Sequence, residues 1–161
     1  MTQQMHKIRR AERQMSLSAS WNFLEKEDVI RIGVCDDNLP YIIPVNFVLY
    51  EGMICFHSAL EGRKVNLFNT EAEVFVEADK MIRVKESKRG CSFSCYYQSL
   101  MITGVLRKVL EEEEKVSILN ALVEKYATEE FSKVTVDDSK RVLVYCIKVK
   151  DITGKELLPD N

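Results

Sequence analysis

The sequence predicts a mainly β protein, an antiparallel β-barrel with helices packed on its outside. Three observations predict it. About six short β-branched and aromatic runs follow one another from Val29 onward, most joined by brief turns. Only about three stretches carry helical periodicity. The runs are contiguous rather than alternating with helices, which argues against a doubly wound parallel sheet.

Taken in order, residues 1–15 are polar and basic, with Lys7, Arg9, Arg10 and Arg13, and read as an N-terminal arm. Ser16 or Ser18 supplies a cap for a helix through Trp21, Phe23 and Leu24 to about Lys26. Residues 29–35 are β-branched and short, a strand, and 36–40 are a turn by composition. Residues 41–50 read as one second strand, which Glu51-Gly52 turns into a third over 53–58. After Gly62 a short helix is expected over 63–69. Val74, Val76 and Ala78 alternate with Glu73, Glu77 and Asp79, the mark of a half-buried strand over 72–84.

Residues 85–90 form a charged loop, and strand character returns over about 92–110, where Gly104 implies a bulge or a close backbone approach. Glu111 to Glu114 open the clearest helix, at the end where the helix dipole favours negative charge. Val116, Leu119, Leu122, Val123 and Tyr126 make its apolar face. A final strand is expected over 141–152. No shift of composition divides the chain, so 16–155 read as a single domain and 156–161 as a C-terminal tail.

With 161 residues, the chain can remove roughly two-thirds of its unfolded surface from water without staples. Its 23 Lys+Arg against 25 Asp+Glu give a net charge of −2, which argues against a nucleic-acid coat. The basic cluster Lys80, Arg83, Lys85, Lys88 and Arg89 reads as a solvated loop. The longest apolar stretches, about five residues, fall far short of the ~20 a spanning helix needs. No apolar run follows the N-terminal cations, so neither a secretory signal nor membrane association is expected. The five cysteines are an odd number and read as reduced thiols of a cytoplasmic protein. Cys91 and Cys95 lack zinc-knuckle spacing, and with only His6 and His57 as histidines no metal site is expected.

The familiar enzyme motifs are missing as well. There is no G-x-G-x-x-G, no P-loop and no G-x-S-x-G elbow. The segment that carries chemistry is Phe56-His57-Ser58-Ala59-Leu60-Glu61-Gly62-Arg63-Lys64. It leaves a strand with a polar His-Ser pair, passes a glycine and opens a helix with two adjacent cations. A helix start offers free N–H groups, arginine a two-pronged fork, lysine a point charge and serine a hydroxyl, a set suited to a phosphate. A surface helix start with solvated basic residues is the plain alternative.

Together with Tyr41-Ile42-Ile43-Pro44-Val45-Asn46-Phe47, this segment resembles the flavin-binding split barrels related to pyridoxamine phosphate oxidase, within them the nitroimidazole-resistance branch. The run Tyr96-Tyr97-Gln98-Ser99-Leu100-Met101-Ile102-Thr103-Gly104, followed by an acidic-led helix, fits the same branch, as does Ile152-Thr153-Gly154-Lys155. The resemblance implies a six-stranded antiparallel split β-barrel (FMN-binding split barrel) with flanking helices, paired as a homodimer with flavin at the interface. It implies that Pro44, Val45 and Asn46 lie along the isoalloxazine ring. His57, Ser58 and Ala59 would flank the ring and ribityl chain, with His57 also a candidate proton donor to substrate. Arg63 and Lys64 would hold the phosphate, and Ser99 and Tyr97 would approach the cofactor from the same or the partner subunit.

FMN is the implied cofactor, with FAD and then haem as alternatives. The implied activity is that of a flavin-dependent oxidoreductase reducing a small aromatic or nitro-aromatic acceptor such as a 5-nitroimidazole. The alternative is a flavin- or haem-binding carrier or sensor without turnover. Where the branch usually has a glycine before Pro40, this chain has Asn38, which tolerates the same left-handed backbone.

Overall fold

The computed structural model describes residues 8–68 and 71–159. In chain order the elements are α1 (Leu17–Lys26), β1 (Val29–Asp36), β2 (Leu39–Asn46), β3 (Val48–Tyr50), β4 (Met53–Ser58), α2 (Arg63–Leu67), β5 (Ala72–Lys85), β6 (Ser94–Lys108), α3 (Glu112–Tyr126), α4 (Val136–Ser139) and β7 (Leu143–Leu157). Every strand pair is antiparallel, and the strands form one sheet in the order β2-β1-β5-β6-β7-β4-β3. The sheet curls into a half-barrel of seven strands, not the expected six.

The extra strand comes from a break at Phe47. The 41–50 run reads as continuous, yet Phe47 is buried and its backbone leaves the ladder. Its N–H donates to the Tyr126 hydroxyl at 3.0 Å, and its carbonyl accepts from that hydroxyl at 2.9 Å. The chain before the break pairs with β1; the chain after it pairs with β4. Residues adjacent in sequence therefore lie on opposite edges of the sheet, and the edges meet at Phe47. The β2 edge carries Pro40 and Pro44, which an outer strand tolerates because it need not donate on its free side.

Both hairpin turns use left-handed residues. Asp37 and Asn38 (φ 47° and 65°) turn β1 into β2, and Glu51 and Gly52 (φ 48° and 74°) turn β3 into β4. The predicted cap of α1 resolves to Ser16, whose hydroxyl accepts from the Ala19 N–H at 3.1 Å. The predicted arm ends against the sheet, since Gln14 bridges Lys155 and the Met15 N–H donates to the Gly154 carbonyl at 3.0 Å. Strand β7 runs on to Leu157, through the start of the expected tail. Helix α2 ends at Leu67; Asn69, its expected last residue, lies outside the described residues. At Gly104 both expectations hold: the β6–β7 register shifts there, and an added Cβ would sit 2.8 Å from the Lys148 carbonyl oxygen.

Two cores result. The inner one fills the curl with Ile30, Ile32, Phe47, Val76, Leu100 and Ile102, and with Phe56, Phe68 and Tyr145 packed ring on ring at 5.5–6.2 Å. The outer one lies between α3 and the strands, with Ile118, Leu119 and Leu122 over Val48, Val144 and Cys146. Cys55 and Cys146 stand opposite each other in the β4–β7 register and are bonded, which corrects the reading of all five thiols as reduced. An odd count leaves at least one cysteine free but does not prevent a pair that strand register brings together. Cys35, Cys91 and Cys95 are free. Among the described residues no helix is long and apolar enough to cross a membrane.

Candidate functional site

Strand alternation sorts the predicted ring-contacting residues. On β2, Val45 points into the inner core, while Pro44 and Asn46 are exposed on the outer face. Val45 therefore offers its backbone and not its side chain. Asn46 donates from Nδ2 to the Asp28 carbonyl at 3.2 Å, a carbonyl that also accepts from the Tyr126 hydroxyl at 2.7 Å. On β4, Phe56 and Ser58 face inward and His57 outward. Partial burial, and then the neighbouring Lys64 ammonium, hold the His57 imidazole below its ordinary pKa, so it is neutral at pH 7.

Ser58 is 2% exposed, and its hydroxyl has no hydrogen-bond partner among the described residues. A buried hydroxyl left unpaired costs about 1–3 kcal/mol, a cost that a polar atom of a bound molecule would remove. The Tyr145 hydroxyl, on the same inner face, is likewise buried and unpartnered, and burial raises its pKa. From Ser58 the chain passes the exposed Ala59 and turns through Gly62, at φ 121°, into the cationic start of α2.

That start differs from the sequence picture in two ways. Helix α2 has only five residues, so its dipole adds little and an anion there would depend on side chains. Arg63 is already engaged: its Nε and one Nη donate to Asp36 at 2.9 and 2.7 Å, and its guanidinium lies 4.4 Å from the Tyr41 ring centre. Lys64 is the less committed cation and stands close enough to His57 to act on its charge.

Asn46 and His57, eleven positions apart in the sequence, border one cleft of about 630 Å³. Its other walls come from α3 and from the segment leading into β7. Tyr97 and Ser99 are elsewhere. They sit on the outer face of β6, Tyr97 opposite Met81 and Ser99 opposite Asp79, and the Ser99 hydroxyl donates to the Lys155 carbonyl at 3.5 Å. Register places them on the same outer sheet face as Pro44, which pairs with Arg31, itself opposite Glu77. That face carries exposed apolar side chains in Ile42 (62%), Phe75 (47%), Met81 (63%) and Met101 (44%). Among the described residues no three His, Cys, Asp or Glu side chains gather as metal ligands.

Sequence reasoning missed three contributors: Asp36 and Tyr41, which hold Arg63, and Tyr126, which holds the strand break. The α3 periodicity marks Tyr126 as packed, but no local pattern shows that its hydroxyl replaces a ladder partner.

Among the curated proteins none matches this sequence. Several solved structures share the fold. A candidate 5-nitroimidazole antibiotic resistance protein from Bacteroides thetaiotaomicron aligns over 88% of this chain and 85% of its own, at 24% identity and a TM-score of 0.75. An FAD and haem binding protein from Mycobacterium smegmatis aligns over 92% and 76%, at 16% identity and a TM-score of 0.82. A flavocytochrome from Azotobacter vinelandii aligns over 97% and 76%, at 15% identity and a TM-score of 0.84. At these identities the likeness shows the fold. The sequence pattern of the pyridoxamine 5'-phosphate oxidase family matches residues 16–156, nearly the whole curled sheet with its helices. The chain belongs to the pyridoxamine 5'-phosphate oxidase family.

Proposed function

We propose that the chain is a flavin-dependent oxidoreductase that reduces a small flat acceptor, with a 5-nitroimidazole as the model compound. The observation that carries this reading is the unpartnered Ser58 hydroxyl, buried at the point where β4 turns into the cations of α2. A flavin phosphate or ribityl oxygen suits that hydroxyl, with Lys64 supplying charge and Arg63 exchanging Asp36 for phosphate. The free edge of β2 at Pro44, Val45 and Asn46 then suits the polar rim of the ring, and His57 and Ala59 flank it. When bound, the flavin supplies electron transfer between a reduced donor and the acceptor. The protein's part is to orient the ring, to keep a neutral imidazole at its border and to exclude water with α3. FMN fits a site built around one terminal phosphate; FAD and haem are the alternatives.

Two measurements test the assignment. The absorption spectrum of the purified protein is expected to show flavin bands rather than a haem Soret band. In anaerobic titration, NADPH is expected to bleach those bands and a 5-nitroimidazole to restore them. A cofactor that no donor reduces and no nitro compound reoxidises would instead make the protein a carrier or sensor. The fold shared with an FAD and haem binding protein and a flavocytochrome supports that second reading.

The proposal includes a cytoplasmic homodimer with flavin between the copies, and no nucleic-acid or membrane partner. The exposed apolar face of β2, β5 and β6 supports the pairing, because it carries Tyr97 and Ser99 and has no cover among the described residues. Light scattering is expected to give twice the 18.6 kDa chain mass. Met81→Glu with Met101→Glu is expected to halve it. A doubly substituted protein that keeps the doubled mass would remove this face from the interface.

A further inference from the structure

Two hydroxyls in the inner core have nothing to bond. Ser58 and Tyr145 are both buried, and neither oxygen has a hydrogen-bond partner among the described residues. They face inward from neighbouring strands. Ser58 lies opposite Leu143 and Tyr145 opposite Phe56, so the two are one diagonal step apart across β4 and β7, within reach of a side chain as long as tyrosine. Phe68, just past α2, packs edge-on against the Tyr145 ring at 5.5 Å. The pair therefore lies beside the segment that carries Arg63 and Lys64.

The Tyr145 ring packs on Phe56 and Phe68, a contact that phenylalanine would make as well. Its oxygen adds only the cost of a buried polar group without a partner. Burial raises the pKa of that phenol, so at pH 7 it is neutral and can both donate and accept. The Ser58 hydroxyl has the same two capacities. Among the described residues no charged side chain is buried, so nothing in this core would balance an ion. The complement of two such hydroxyls is an uncharged oxygen that also donates and accepts, an alcohol. In FMN, alcohols occur only on the ribityl chain, between the ring and the phosphate.

We propose that Tyr145 is a cofactor-binding residue whose hydroxyl, together with that of Ser58, holds an alcohol of the ribityl chain. This rests on the flavin reading and adds a selection to it. Protohaem has no alcohol and would leave both hydroxyls unmet, so the pair favours a flavin. The phosphate remains with Lys64 and Arg63, and the two contributions separate.

The test is fluorescence titration of the full-length protein, freed of bound cofactor, with three ligands that share one ring. Lumiflavin lacks the ribityl chain, riboflavin has it, and FMN has both chain and phosphate. The wild type is expected to bind riboflavin roughly tenfold more tightly than lumiflavin. Tyr145→Phe is expected to bring that ratio close to one, with lumiflavin affinity and the FMN-to-riboflavin ratio unchanged. The cofactor-free variant is expected to melt no lower than the wild type, because the oxygen it loses has no partner. Ser58→Ala is expected to lower the riboflavin-to-lumiflavin ratio in the same way, and it serves as the test should Tyr145→Phe fold poorly. A ratio unchanged in these variants would overturn the inference. So would a lower Tm of cofactor-free Tyr145→Phe, which would show that trapped water already meets the hydroxyl. A wild type that binds lumiflavin as tightly as riboflavin would overturn the inference and leave the flavin reading standing. A wild type that binds none of the three would sink the flavin reading, and the inference with it.

Discussion

The Arg63→Ala, Lys64→Ala double variant is expected to leave purification nearly free of flavin. Charge-assisted hydrogen bonds contribute about 1.5–3 kcal/mol each, so losing two weakens phosphate binding by roughly 3–6 kcal/mol, or ~10²–10⁴-fold. The structure divides that effect unequally. Arg63 must give up Asp36, at 2.7 Å, before it can serve a phosphate, so its net contribution is the smaller. Lys64→Ala alone is therefore expected to account for most of the loss. The Arg63–Asp36 pair is more than half exposed on the arginine side, so breaking it costs little stability. The readouts are the flavin-to-protein absorbance ratio and FMN fluorescence titration, with thermal unfolding as control. A double variant with unchanged flavin occupancy would mean that the phosphate lies elsewhere.

Tyr126→Phe is expected to destabilise the fold by about 2–3 kcal/mol, although it removes one oxygen and keeps the ring. That oxygen accepts from the Phe47 N–H and donates to the Phe47 or Asp28 carbonyl, at 2.9 and 2.7 Å. A hydroxyl has one proton, so the two carbonyls share it. Phenylalanine leaves the Phe47 N–H without a partner where Phe47 itself is buried. Lys125, held beside it by the Glu27 carbonyl at 2.7 Å and lying 3.7 Å from the Phe47 ring centre, cannot accept that hydrogen. For a chain of this length the loss corresponds to a fall in Tm of about 5–10 °C. An unchanged Tm would show that water replaces the hydroxyl without penalty. The same hydroxyl stands beside Asn46, so the variant also tests whether the cleft border depends on the latch.

Much of the architecture was legible because it is written locally. Alternation of Val74, Val76 and Ala78 identifies β5, and the spacing of Leu119 and Leu122 identifies α3. Gly104 announces a constraint that the Lys148 backbone imposes. The break at Phe47 was not legible, because β-branched and aromatic residues continue through it and its cause, Tyr126, lies 79 positions away. The same holds for the Cys55–Cys146 bond across 91 positions, which depends on register and not on count. Of the candidate site, the motifs named the candidate residues. They could not show that Val45 faces the core, that Arg63 already has a partner, or that Ser58 has none.

The prolines of β2 have a consequence apart from any ligand. Because β2 and β3 are the two rims of the sheet and only Phe47 joins them, each rim is a template on which a foreign chain could polymerise. Pro40 and Pro44 remove donors from one rim, and the other is only three residues long. The curled sheet thus resists fibril growth even in the moments when its latch is undone.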